Sequence, residues 1–249
     1  MLQKISAPIY RGLVMMRHPE AIKLRRKGID YDHFRAYSKP WLRALEIRTV
    51  LDVGANTGQF ARLMHEVLPD ARIYSFEPLP ECYEVLRQAL EPDARFHPLQ
   101  MAVGEVNTTL NFYRSIHTPS SSFLKMTSLH QAAFPESLEG QEEKAIRVES
   151  KRLDDAVEEL VMEDNVLLKI DVQGYEARVI AGAPQTLKRV KAVLIETSFV
   201  ELYESQPLFD EIYRLLCDAG YVFRGNLQQM THPSTGEIVQ ADSIFLRAE

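Results

Sequence analysis

Short apolar runs alternate with stretches of helical periodicity through most of this 249-residue chain. Thr49 to Phe60 reads TVLDVGANTGQF. Val50, Leu51 and Val53, interrupted only by Asp52, have the pattern of a strand buried on both faces. Gly54 and Gly58 follow, with Ala55, Asn56 and Thr57 between them, and from Gln59 onward Phe60, Leu63, Met64 and Val67 share one helical face. The unit is strand, small-residue turn, helix. A second apolar strand ends in YSFE at Glu77, where Pro78 closes it, and Glu81 to Leu90 is predicted as a helix with Val85, Leu86 and Ala89 inward. Arg95 to Met101 gives a weak third strand, with Ala102, Val103 and Gly104 as the loop after it. VLLKI at Val166–Ile170 and AVLIE at Ala192–Glu196 repeat one device, an apolar strand closed by an acid, here Asp171 and Glu196. Phe209 to Leu216 is a helix with Phe209, Ile212, Leu215 and Leu216 inward, and Gly220 ends it. Tyr221–Phe223 and Ile244–Leu246 form a closing hairpin with a turn at His232–Gly236. Strands alternating with helices predict an α/β fold, a doubly wound and mostly parallel sheet with an antiparallel C-terminal hairpin.

Two stretches fall outside this alternation. Residues 1–45 are predicted to be an N-terminal helical cap on a main domain of residues 46–249, which holds a β insertion near 105–151. In the cap, the basic run from Arg17 to Lys27 is either a solvated helix face or a docking surface for an acidic partner or lipid. Tyr31, Phe34, Tyr37 and Trp41 recur at helical spacing, which packs the cap on the main domain or makes it a lid. In the insertion, Thr108–Tyr113 and the alternating Ala145–Lys151 are predicted to pair. Between them lie a polar segment with His117 and Ser120–Ser122, read as a flexible loop or a flap over a ligand, and the charged stretch Gln131–Lys144. Asp154 and Asp155 open a helix that they are expected to cap.

Composition narrows the class. Hydrophobic residues make up 45% of the chain, enough for a sizeable core, and the net charge of −6 argues against a general nucleic-acid binder. Cys82 and Cys217 have no metal spacing and read as two buried thiols in a reducing compartment, not a disulfide. Neither a long apolar run nor a signal-peptide pattern occurs, so a cytoplasmic protein without stable membrane insertion is expected.

The glycine turn suggests a ligand. A dinucleotide fingerprint has three glycines and seats a pyrophosphate at the helix start. Here two glycines follow Asp52, whose carboxylate would repel phosphate and suit a positively charged, phosphate-free ligand; S-adenosylmethionine, with its ammonium and sulfonium, fits that description. Glu77 stands roughly 20 residues beyond the first glycine, where an acid that binds ribose hydroxyls is expected. VLDVGANTGQF, then FEP, then LLKIDVQGYE resemble the FkbM family of S-adenosylmethionine-dependent methyltransferases, over about Val50 to Phe245. The resemblance implies a Rossmann-like class I methyltransferase with a seven-stranded sheet. It implies donor contacts from Asp52, Gly54, Ala55, Asn56, Gly58, Gln59, Glu77, Pro78, Met101, Ala102 and Asp171, and O-methylation of a sugar or secondary metabolite.

A hydroxyl acceptor keeps its proton near neutral pH, so a general base is expected on the rim. Asp171 is the first candidate, with Glu196, Glu176 and His117 behind it. Lys169, buried in an apolar strand, needs a partner, either Asp171 or Glu176. Asp171, Glu196 and Asp242 offer oxygen ligands to Mg²⁺, but no spacing demands a metal and none is predicted. The alternatives are a nicotinamide-dependent oxidoreductase, which Asp52 and the missing third glycine disfavour, and an inactive module that binds the cofactor without turnover. The expected partner is a small-molecule or glycan acceptor; no pattern in the chain encodes its identity or an oligomeric state.

Overall fold

The computed structural model describes residues 18–113, 123–133 and 145–248. Three helices come first: α1 (Pro19–Arg26), α2 (Tyr31–Tyr37) and α3 (Pro40–Ala44). Proline opens α1 and α3, where its missing N–H costs nothing, and the Asp30 carboxylate caps α2 by accepting from the N–H groups of Asp32 and His33. The chain continues through β1 (Thr49–Val53), α4 (Gln59–Val67), β2 (Arg72–Phe76), α5 (Pro80–Gln88), β3 (Phe96–Leu99), β4 (Ala102–Gly104), β5 (Thr108–Tyr113) and α6 (Ser128–Ala133). Then follow β6 (Ala145–Arg152), α7 (Leu153–Ala156), β7 (Val166–Ile170), α8 (Glu176–Ala181), α9 (Thr186–Arg189), β8 (Val190–Ser198), α10 (Phe209–Asp218), β9 (Tyr221–Thr231) and β10 (Ile238–Arg247).

Seven strands form one sheet in the order β3-β2-β1-β7-β8-β10-β9. The first five run parallel; β10 is antiparallel to both its neighbours. Successive residues of β1 serve opposite layers, which is why the apolar run shows no alternation. Val50 joins Leu24, Tyr37, Leu42, Phe60, Leu63 and Met64 in one core; Leu51 and Val53 join Phe76, Leu168, Ile170, Val179, Ile212 and Leu216 in the other. The first core thus includes residues of all three N-terminal helices, and Tyr31, Phe34 and Trp41 pack against it as well.

Four expectations are corrected here. Ala102–Gly104 is not a loop but strand β4, which pairs in parallel with β6 in a second sheet, order β4-β6-β5. The expected pairing of β5 with β6 is present, Thr108 to Tyr113 against Ser150 to Ala145. Val85 faces solvent, because Cys82 and Leu86, four residues apart, form the inner stripe of α5. Asp154 caps α9 rather than its own helix, accepting from Gln185 N, Thr186 N and the Thr186 hydroxyl. The C-terminal hairpin is far longer than the two apolar triplets suggested. His117, Ser120–Ser122 and most of the Gln131–Lys144 stretch lie outside the described residues.

Candidate functional site

Strand order reverses beside β1, with β2 and β3 on one side and β7 onward on the other, and the carboxyl ends of parallel strands at such a point form a crevice. A cavity of about 540 Å³ opens there. Backbone bonds hold its rim: Gly54 N and Ala55 N donate to the Phe76 carbonyl, and Asp171 N donates to the Val53 carbonyl. Gly54, Ala55, Asn56, Gln59, Glu77, Pro78, Met101, Ala102, Asp171 and Glu196 all line the cavity.

Backbone conformation and packing both call for the two glycines. Both have left-handed φ, +82° at Gly54 and +84° at Gly58. A Cβ on Gly54 would lie 1.8 Å from the Asp171 carbonyl oxygen, so that glycine lets β1 and β7 close against each other. Gly58 does not line the cavity; a Cβ there would meet Ala89 Cβ at 2.9 Å and Leu86 Cδ1 at 3.0 Å, so it seats α4 against α5.

Asp52 is also relocated. It is fully buried within β1 and absent from the cavity wall. The Ser75 hydroxyl donates to its Oδ2 at 3.1 Å, and Lys169 Nζ stands 3.4 Å from its Oδ1. Lys169, on the neighbouring strand in register with Asp52, also lies 3.3 Å from Asp171 Oδ2 and donates to the Gly54 carbonyl at 3.1 Å. The Phe60 ring lies 5.5 Å from its ammonium. Burial works against that charge, but Asp171 and Asp52 outweigh it and raise the lysine above its ordinary value. The expected Asp171 partner is present; Glu176 is not one. Glu176 is buried off the cavity, where its Oε1 accepts from Val172 N and Gly174 N, so its candidacy as a base is withdrawn: the carboxylate organises the turn after β7.

Glu77 is buried at the end of β2 with both oxygens engaged by backbone, Oε2 by Asn56 N at 2.8 Å and Oε1 by Leu79 N at 2.9 Å. Burial, against those two donors, pushes its carboxyl up to about 7. Across the cavity, Gln173 bridges two acids: its amide donates to Asp171 Oδ1 at 2.7 Å and to Glu196 Oε2 at 2.9 Å, while the Tyr203 hydroxyl donates to its carbonyl. Burial, reinforced by Asp171, Glu176 and Asp242, raises Glu196 well above the usual carboxylate range. Asp242 faces Glu196 directly across β10 and β8 and accepts from the Tyr37 hydroxyl at 2.9 Å.

Sequence reasoning missed Gln173, Tyr37 and the pairing of Lys169 with Asp52. Gln173 holds a left-handed φ of 54° that no local pattern announced. Tyr37 and Asp242 are 205 positions apart. An acid inside the apolar β10 was the one available signal.

The wall chemistry fits a nucleoside that carries positive charge. Glu77 has acceptor capacity for hydroxyls beyond its two backbone donors, Leu79, Met101 and Ala102 give apolar surface for a flat base, and Asp171 offers a carboxylate to an ammonium. Among the described residues, Lys169 lines the cavity but is engaged by two carboxylates, and the Arg62 guanidinium packs beside Gly58 off the cavity wall. Among the described residues, no group of three or more His, Cys, Asp or Glu side chains is placed to hold a metal ion.

Comparisons with known proteins point the same way. Residues 52–223 match the model of the methyltransferase FkbM domain. The 2-O-methyltransferase NoeI of Sinorhizobium fredii is 32% identical over 174 residues, 67% of this chain and 70% of that protein. The methyltransferase sdnD of Sordaria araneosa is 30% identical over 193 residues, 69% of this chain and 73% of that one. A methyltransferase FkbM structure from Methylobacillus flagellatus, 12% identical, covers 85% of this chain and 47% of its own at a TM-score of 0.48, too loose a likeness to carry weight.

Proposed function

This chain belongs to the FkbM family of S-adenosylmethionine-dependent methyltransferases, and on that premise we propose that it methylates a hydroxyl oxygen of a sugar or secondary metabolite with Glu196 as the general base. The observation that carries this is the Gln173 bridge: it joins Asp171 and Glu196 on one cavity wall, opposite Glu77. The choice of oxygen is supported by the 2-O-methyltransferase among the relatives.

Transfer from a sulfonium is an in-line displacement in which the bound donor supplies an activated methyl group and a neutral leaving sulfur. The protein then has to align the two reactants and receive the proton that the hydroxyl loses as its oxygen bonds to carbon. In this reading Glu77 and the Gly54–Asn56 turn hold the nucleoside, Asp171 holds the ammonium end, and Glu196 takes the proton. Glu196 suits that task better than Asp171. Both accept from Gln173, but Asp171 is also paired with the Lys169 ammonium, whereas burial raises the Glu196 carboxyl and makes its ionised form the stronger base. A reducing compartment, the cytoplasm, suits Cys82 and Cys217, which are not joined in a disulfide.

Glu196→Gln should lower labelled methyl transfer by about 10²–10⁴-fold while leaving S-adenosylhomocysteine affinity nearly unchanged by calorimetry. In the wild type, the acidic limb of the kcat profile should lie above the ordinary carboxylate range, because the base works only when deprotonated and its value is raised. Full turnover in Glu196→Gln would remove it from the mechanism; a larger loss in Asp171→Asn would return the role to Asp171.

A further inference from the structure

The cavity does not stop at the donor half. A polar annex of about 410 Å³ joins it, sharing His33, Glu196, Gln228 and Asp242 with the main cavity. Its walls come from α2, β8, β9 and β10. The FkbM domain match spans residues 52–223, so of these four residues only Glu196 lies within it; His33, Gln228 and Asp242 lie outside, as does Tyr37, which holds Asp242. One half of the cleft therefore lies within the matched domain, and the other is built from segments outside it.

We propose that this annex is the acceptor subsite, that it takes a neutral polyhydroxylated acceptor such as a glycoside, and that His33, Gln228 and Asp242 determine which one. The inference rests on the methyltransferase reading and deepens it. Two carboxyl groups, a glutamine amide and an imidazole offer both donors and acceptors, which suits neighbouring hydroxyls. The same carboxylates repel a phosphate or carboxylate on the acceptor, and Lys169, the cation at the inner wall, is already occupied by Asp52 and Asp171. A flat apolar phenol would leave the annex's polar groups without partners. Tyr37 is a positioning residue here: it is buried with its ring edge-on to Phe60, it borders the main cavity but not the annex, and it acts on the annex through its hydroxyl on Asp242.

The test is methyl transfer from labelled donor to an arrayed panel of neutral mono- to trisaccharide glycosides, their phosphate esters, uronic acids and simple phenols. S-adenosylhomocysteine affinity is measured in parallel on the same 249-residue chain. Label is expected in neutral glycosides and not in their charged counterparts. Gln228→Leu and Tyr37→Phe are expected to raise the acceptor KM by about tenfold or more, with S-adenosylhomocysteine affinity unchanged. Tyr37→Phe keeps the ring contact with Phe60, so a purely structural role would leave KM alone. Label confined to phenols or anionic acceptors, no label in any glycoside, or an equal loss of S-adenosylhomocysteine affinity in the variants would each overturn the proposal. Failure of the wild type to bind S-adenosylhomocysteine at all would instead overturn the donor reading beneath it.

Discussion

Lys169 shows how much one side chain can organise. Its ammonium ties Asp52 in the middle of β1, Asp171 at the rim of β7 and the carbonyl of Gly54 in the turn between them. The exchange is interdependent: Asp52 is wholly buried, and its only charged partner among the described residues is this lysine. Breaking such a pair from one side leaves an uncompensated charge, whereas removing both partners relieves it. Lys169→Met should therefore destabilise the protein by about 3–5 kcal/mol in denaturant unfolding, and Lys169→Met combined with Asp52→Asn should recover much of that loss. A double variant no more stable than the single one would show that Asp52 does not depend on Lys169. The sequence marked both residues as anomalies in apolar strands. It could not match them, because the register between β1 and β7, which sets Asp52 opposite Lys169, is a property of two strands over 100 positions apart.

At the scale of elements, the turn after β1 is where local and tertiary demands meet. Its strand-turn-helix character was legible from spacing alone, since apolar periodicity changes from that of a buried strand to that of a helix within a dozen residues. The reason for its glycines was not legible: both left-handed φ and crowding by a distant element call for glycine, and only the second needs the fold to be seen. The two causes separate at Gly54 and Gly220. Gly220, φ +88°, has nothing within 4 Å of an added Cβ, while Gly54 meets the Asp171 carbonyl. Gly220→Ala should cost only the backbone term, about 1–2 kcal/mol. Gly54→Ala adds a backbone clash and should cost more than about 3 kcal/mol, read as a distinctly larger fall in Tm. Equal shifts would mean that the β1–β7 junction yields freely.

For the whole molecule, the site concentrates acids in a buried crevice, and this sets a pH dependence of stability. Burial pushes Glu77 and Glu176 from 4.5 up to about 7, and raises Asp52, Asp242 and Glu196 as well. A carboxyl raised on folding binds its proton more tightly in the native state. Its stabilising contribution is complete below the unfolded value and is lost as pH rises through the folded one. The ligand-free protein should accordingly melt at a higher temperature near pH 5 than near pH 8, with Glu176→Gln flattening the slope; a Tm that climbs across that window would contradict these assignments. The α/β class, the parallel core, the two-glycine turn, the rim acids Glu77, Asp171 and Glu196 and the family were all readable in the chain, because each is written in local periodicity or in a contiguous motif. Which acids face the cavity, which are locked beneath it, and the joining of α2 to β10 through Tyr37 and Asp242 were decided only by the tertiary structure. Side-chain pairing across strands depends on register and burial, and neither is encoded in any one segment.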